Sequence, residues 1–355
     1  MSDVVNEIRG RAGLITLNRP KALNALTLGM IRQLTQALLD WRDDDRVEFV
    51  ALRGQGREGP FGAFCAGGDI RFFHQAALGG NPELEDFFTE EYALNHLVHT
   101  FPKPYAVFMD GIVMGGGMGI SGHGRPGATM RITTERTKMA MPETNIGLFP
   151  DVGGGWFLAR CPGFIGEYLA LTGDVISGAD AVFAGLADAV VPSENLASIW
   201  TSIEQAWPQA AQAVTKPGNL QTHQRAIDRF FSLPTIRDIV AALEGDDSDF
   251  ARETAATLRK RSPLMLHVSL EHVRRARKMT LADDLRMERD LVRRSFHLRP
   301  GAAAETVEGI RALAVDKDQN PRWNPARIEE ITPEMVEAYF ESPWPAHAHP
   351  LRKLG

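Results

Sequence analysis

Four clusters in this 355-residue chain hold residue types that could do chemistry. Phe64-Cys65-Ala66-Gly67-Gly68-Asp69-Ile70 is a small-residue run between a strand pattern and a helix pattern. Glycines let backbone N–H groups approach a ligand closely, and a helix start favours developing negative charge. Taken alone, such a run reads as a tight loop. Met114-Gly115-Gly116-Gly117-Met118-Gly119 follows a strand pattern over 105–109 and can aim backbone donors in the same way. Gly117, Gly119 and Gly122 also spell G-x-G-x-x-G, the dinucleotide fingerprint. That fingerprint sits directly on a strand-to-helix turn and is followed about 20 residues later by an acidic residue. Here residues 110–116 intervene and no convincing acid follows, so dinucleotide binding is rejected.

The third cluster runs from Met141 to Trp156 and holds Glu143 and Asp151 among prolines and aliphatic residues. Such surroundings desolvate a carboxylate and raise its pKa, which suits acid/base work. The plain alternative makes both surface groups, with Asp151 a helix cap before a glycine run. Two carboxylates in one apolar loop favour chemistry. The fourth cluster, Glu90-Glu91-Tyr92-Ala93-Leu94-Asn95, reads by itself as a helix surface. His347 and His349 lack partner ligands for a metal and fall in an expected tail. Arg274, Arg275, Arg277 and Lys278 read as a solvated helix face.

Positioning these clusters requires a layered fold. Short strand patterns over 7–18, 47–52, 105–109 and 186–191 alternate with helical periodicity, as in Met30, Ile31, Leu34 and Leu38. Ser177 and Asp180 mark a helix start. From about 222 to 340 the pattern is helical, with stops expected at Pro234, Pro263, Pro300 and Pro321, and Lys216-Pro217-Gly218-Asn219 reads as a linker. The domains expected are a core over 1–205, a helical region over 206–340 and a tail over 341–355.

Composition narrows the function classes. Hydrophobic residues make up 44% and charged residues 24%, ordinary usage for a globular chain. The net charge of −6 discourages a generic nucleic-acid or anionic-membrane binder. Two cysteines, Cys65 and Cys161, are too few for a disulfide framework or a cysteine-rich zinc site. No apolar run approaches the roughly 20 residues a membrane span needs, and the acidic start lacks a signal or transit pattern. A cytoplasmic enzyme is the expectation.

Together these clusters resemble the enoyl-CoA hydratase/isomerase (crotonase) superfamily, and within it the 3-hydroxyisobutyryl-CoA hydrolase branch. The carrying segments are NRPKALNAL at 18–26, FCAGGDIR at 64–71, EEYALN at 90–95 and KPYAVFMDGIVMGGGMGI at 103–120. AMPETNIGLFPDVGGGWFL at 140–158, GLADAVVP at 185–192, EGIRA at 308–312 and DKDQNPRW at 316–323 complete them. The resemblance spans about residues 7–340, and the PET…GLFPDVGGG segment is particular to the branch.

The resemblance implies an α/β fold, a spiral of β-β-α turns with a helical C-terminal region. It implies an acyl-CoA thioester substrate, with coenzyme A as part of the substrate and neither metal nor cofactor. The N–H groups of Ala66 and Gly116 match the family's oxyanion hole. Glu143 and Asp151 match the branch's catalytic pair, and Glu91 a substrate-binding acid. Lys21, Ala22 and Leu23, with Ala66, Gly67, Gly68, Asp69 and Ile70, match CoA contacts. Glu143 either activates water or attacks directly. Asp151 holds the substrate hydroxyl, positions water or relays a proton. The family's hydratases carry a further carboxylate two residues after the GGG run, where this chain has Gly119. Hydration is therefore disfavoured, and a one-carboxylate isomerase is the runner-up. A third alternative is an idle CoA- or RNA-binding homologue. A homo-oligomer is expected, and no membrane partner.

Overall fold

The computed structural model describes residues 2–125, 127–203 and 218–355. The first half runs β1 (Val4–Arg9), β2 (Ala12–Leu17), α1 (Leu28–Arg42), β3 (Phe49–Gly54), α2 (Ile70–Gly79), α3 (Glu83–Thr100), β4 (Tyr105–Met109), β5 (Ile112–Met114), α4 (Gly116–Ile120), β6 (Thr129–Thr133) and β7 (Lys138–Ala140). It continues through α5 (Gly154–Leu158), α6 (Ile165–Thr172), α7 (Gly178–Phe183), β8 (Ala189–Val190) and α8 (Leu196–Ser202). After residue 218 come α9 (Asn219–Phe231), α10 (Ile236–Glu244), α11 (Asp249–Leu258), α12 (Pro263–Ala276), α13 (Leu281–His297), α14 (Glu305–Ile310) and α15 (Pro333–Phe340).

The chain divides into two compact units. One comprises Met1–Gly68, Glu90–Ala140 and Val175–Thr222; the other comprises Asp69–Thr89, Met141–Asp174 and His223–Gly355. The linear boundary expected near 205 is thus replaced by an interleaved one. Lys216 and Pro217, half of the expected linker, lie outside the described residues, and Asn219 already opens α9.

The first unit carries the expected spiral. Its main sheet has the order β1-β2-β3-β4-β6-β8, antiparallel at β1–β2 and parallel thereafter. A second layer pairs β5 with β7, and the bridges Leu26–Gly68, Cys65–Val113 and Met139–Ile176 extend it. Each turn therefore lays one strand in the main sheet, touches the second layer, then leaves through a helix or turn. Both faces of the central strands β2, β3 and β4 are buried, which is why these read as near-continuous apolar runs, whereas the edge strand β1 is mostly exposed. On one face Leu14, Ala51, Phe108 and Ile132 pack with Trp200 of α8. On the other, Gly13 leaves room for the Trp41 ring of α1, where a Cβ would overlap it.

The second unit is mainly helical. Pro263 opens α12 as its first residue, with Ser262 capping Met265 N–H at 3.2 Å, rather than stopping a helix. This follows from proline's missing N–H, which the first turn does not need. The expected tail is also corrected. His349 and Leu351 are buried, Ser342 donates to Asp290 at 2.8 Å, and Arg289 and Arg293 lie over the Trp344 ring. Apolar and aromatic residues late in the chain outweigh its prolines.

Candidate active site

In the first unit, Asn24 organises the residues expected to act through their backbones. Buried and left-handed (φ 55°), it donates from Nδ2 to Ala63 O at 2.9 Å, Phe64 O at 3.1 Å and Gln55 O at 3.1 Å. Its Oδ1 accepts from Arg19 N–H at 2.8 Å. This clamps the Lys21–Leu23 segment onto the 63–68 strand and loop. Leu23 lines a cavity of about 740 Å³ together with Arg57, Phe61, Arg136 and Ser193. Arg136 pairs with buried Asp110, so Arg57 is the cation more open to an anionic ligand there. Sequence reading had not singled out Arg57.

The two small-residue runs meet backbone to backbone. A Cβ on Gly117 would come within 2.5 Å of Cys65 O. A Cβ on Gly67, whose φ is +95°, would lie 3.5 Å from Gly116 N, and one on Gly116 would lie 3.5 Å from Gly68 N. At Gly117 only a residue without a side chain allows this approach, and the positive φ of Gly67 likewise favours glycine.

One expectation fails here. The Ala66 N–H donates to Leu23 O at 3.0 Å, so it is already engaged. Among the described residues the N–H groups of Gly68 and Gly116 have no acceptor. Gly116 is the first residue of α4, where an N–H has no intrahelical partner. The pair of open donors is Gly68 with Gly116. Regular extended backbone would aim the N–H groups of Ala66 and Gly68, two residues apart, to the same side, and the left-handed Gly67 between them (φ 95°) breaks that alternation.

The two acids of the fourth cluster separate. Glu90 is on the surface and pairs with Arg32 at 2.7 Å. Glu91 is 2% exposed, and a Cβ on Gly116 would overlap its Oε1. The helix-surface reading therefore holds for Glu90 and fails for Glu91. Cys65 is fully buried, donates to Asn24 O at 3.2 Å and has its thiol pushed up to about 12 by burial, so it is no nucleophile at neutral pH.

The second unit holds the carboxylate pair. Glu143 opens a 3-10 turn, Glu143–Ile146, closed by left-handed Gly147. That turn is pinned by α14: Thr306 donates to Gly147 O at 2.7 Å, and the missing side chain of Gly309 lets the Ile146 backbone press against it. This accounts for the EGIRA motif, in which Glu308 pairs with Arg311 at 2.8 Å. Glu143 is 6% exposed and its Oε2 has no partner. Burial, then the charge of Asp151, raises its pKa well above the ordinary carboxylate range. Asp151 is buried too, and it is not a helix cap: the first N–H groups at α5 are taken by Glu288 and Asp284 of α13. Those acids, more than 120 residues away in sequence, gave no local signal. Asp69 and Ile70 open α2 in this unit, with Asp69 capping Phe72 N–H at 3.5 Å.

The basic run is engaged within the protein. Arg274 donates to Leu233 O at 2.6 Å, Arg275 pairs with Glu271 and Glu337, and Arg277 pairs with Glu167. Among the described residues no helix is long and apolar enough to cross a membrane.

Comparison with known proteins follows the same lines. The family model described as enoyl-CoA hydratase/isomerase matches residues 12–340. A relative from Danio rerio named 3-hydroxyisobutyryl-CoA hydrolase, mitochondrial, is 40% identical over 96% of this chain and 90% of its own length. A solved structure from Rhodobacter sphaeroides, described as an enoyl-CoA hydratase, superposes with a TM-score of 0.88 at 39% identity, covering 96% of this chain and 98% of that one. Another, from Mycobacterium thermoresistibile and described as a carnitinyl-CoA dehydratase, gives 0.84 at 38% identity over 99% of each chain.

Proposed function

This chain belongs to the enoyl-CoA hydratase/isomerase family, and from that premise we infer that it hydrolyses acyl-CoA thioesters, 3-hydroxyisobutyryl-CoA above all, as in valine breakdown. The observation that carries the reading is buried Glu143, raised in pKa by its burial and then by Asp151, in a chain with Gly119 where a hydratase needs its second carboxylate. A base of raised pKa is matched to proton transfer near neutrality.

Roles follow residue by residue. Attack on a thioester moves charge onto the carbonyl oxygen, and the Gly68 and Gly116 N–H groups are the donors assigned to it. Each such donor is worth roughly 10²–10³ in rate. Glu143 takes the proton of the attacking water, or attacks itself and is then freed by water. In the first course the water oxygen forms the new C–O bond, the C–S bond breaks, and sulfur leaves with the electron pair. A thiol of pKa about 8.5 leaves readily as thiolate, so little acid assistance is needed. Asp151 holds the substrate hydroxyl or relays the proton. Glu91 is assigned to the substrate, and the Lys21–Leu23 segment with Arg57 to the CoA moiety. Neither metal nor redox cofactor enters this chemistry, so chelation is expected to leave it intact.

The test is thiol release across a small acyl-CoA panel. Free CoA from 3-hydroxyacyl substrates supports the reading. Converted acyl-CoA without thiol release replaces it with the hydratase or isomerase reading, which the descriptions of the two solved relatives favour. Binding without turnover leaves the non-catalytic reading. A homo-oligomer is part of the proposal, and light scattering that finds a monomer at micromolar concentration refutes it.

A further inference from the structure

Behind the carboxylate loop of the second unit lies a buried trio that the mechanism above does not use: His272 on α12, and Asp284 and Glu288 on α13, each fully buried. Asp284 and Glu288 are four residues apart and so share one face of their helix. His272 Nε2 sits 3.1 Å from Asp284 Oδ1 and 3.4 Å from Glu288 Oε1. The two carboxylates also accept from the backbone that follows Asp151. Glu288 accepts the Gly153 N–H at 2.7 Å and the Gly155 N–H at 3.2 Å, and Asp284 accepts the Trp156 N–H at 2.7 Å.

That stretch of backbone does not hold its shape by local preference. Val152, a β-branched residue, has φ 58°, and Gly153 has φ 85°. A β-branched residue in the left-handed region is a strained one and persists only where its surroundings over-determine it. Gly155 tightens the case. A Cβ there would run into the His272 ring and come within 2.6 Å of Asp284 Oδ1, so the turn packs directly on the trio.

Resting on the hydrolase reading, we propose that Glu288, seconded by Asp284 and His272, is a positioning residue for catalysis: it holds the strained Asp151–Gly155 turn and thereby sets the Glu143–Asp151 pair. Glu143 responds to Glu288 electrostatically as well, Glu288 being one of the charges that raise it, after Asp151. Burial beside Asp284 pushes Glu288 upward, whereas His272 opposes that shift. Both Glu288 oxygens accept N–H donors, an arrangement that favours the ionised form. His272, raised to about 10 by Asp284 and Glu288 against its burial, supplies the balancing positive charge.

A divalent cation is the obvious rival occupant, since the three groups offer ligand atoms within 4.8 Å of one another. The geometry points away from it. Three of the four carboxylate oxygens accept a backbone N–H, and the fourth faces His272. An ion would have to displace the donors that give the turn its shape.

The experiment is thiol release from 3-hydroxyisobutyryl-CoA by Glu288→Gln. An amide at this place must turn one N–H toward a backbone N–H, so the turn loses a bond. Expected is a fall in kcat of about a hundredfold, the scale of a misplacement near 1 Å, with KM changed less than about threefold. The acidic limb of the kcat/KM profile moves to lower pH, because one of the charges raising Glu143 is gone; a merely structural role would not move it. A folded Glu288→Gln enzyme with kcat within twofold of wild type and an unmoved limb overturns the proposal. Should that variant not fold, His272→Gln is read in its place. A fall in kcat with KM retained supports the proposal, and wild-type kcat overturns it. Absence of thiol release in the wild type would instead sink the hydrolase reading itself, so the two failures are distinguishable.

Discussion

The glycine runs of the first unit and the carboxylate loop of the second present functional groups in opposite ways. At 65–68 and 115–119 the useful groups are backbone N–H donors, and they are placed by what is missing. Gly117 carries no Cβ, so its backbone closes on Cys65 O, and Gly116 lies within ordinary contact of Gly68 N. Local sequence almost suffices for this. At 143–156 the useful groups are side chains in strained, buried backbone, and they are placed by what is added from afar. Polar side chains on α12 and α13 hold the turn after Asp151, and α14 holds the turn after Glu143. A donor site can thus be written in a short motif, whereas a desolvated acid needs the tertiary structure to sustain it. The reason is energetic: a peptide N–H is neutral and cheap to bury beside open space, but a carboxylate kept from water must be compensated.

The comparison is broken most severely at Glu143. Glu143→Gln keeps the volume and removes the base, and thiol release is expected to fall by about a thousandfold or more, while binding of the CoA ester changes little. A variant that keeps most of its kcat would move the chemistry to another acid, Glu91 first.

The next largest effect is expected in the other region. Gly116→Ala places a methyl against the Glu91 carboxylate and 3.5 Å from Gly68 N. If the pair of amides holds the developing oxyanion, kcat should fall by roughly a hundredfold without loss of thermal stability beyond a few degrees. Wild-type kcat here would remove the donors from the mechanism. Ala66→Gly is the matched control. It leaves the N–H bonded to Leu23 in place and is expected to stay within about threefold of wild type, and a loss as large as that of Gly116→Ala would restore Ala66 to the site.

Gly155→Ala sharpens the contrast through stability. Its methyl has only the fully buried His272 and Asp284 to push against, and overpacking of this kind costs about 1–3 kcal/mol. Denaturant unfolding should show that loss, and an unchanged midpoint would mean the turn is not packed as described.

The remaining test is one of pH. His272 in the folded protein is raised from 6.5 to about 10. A raised folded-state value means that the folded protein holds the proton more tightly. The stability this contributes is therefore full below about pH 6.5 and is lost as pH rises toward 10. Thermal unfolding of the wild type should weaken across that window, and His272→Gln should flatten the decline. An equally steep decline in the variant would assign it to other groups.

Much of this was legible from residue order. The strand patterns over 7–18 and 105–109 and the helix start at Ser177 and Asp180 are local patterns with a single sensible outcome, whereas each glycine run read alone leaves more than one. Glu143 with Asp151 in one apolar loop pointed to acid/base chemistry, the family resemblance implied thioester hydrolysis, and Gly119 in place of an acid disfavoured hydration. Tertiary structure decided what periodicity cannot carry. It chose Gly68 over Ala66, because only the bond to Leu23 settles which amide faces away. It buried Glu91 and left its neighbour Glu90 with Arg32, a difference set by which face of α3 is covered. It ordered the last residues, since Leu351 and Trp344 found partners on α13. And it set Glu288 against Gly153, just after Asp151, at a separation of 135 residues. No spacing rule spans that distance, because charge and hydrogen bonding depend on proximity in space, which only the folded chain creates.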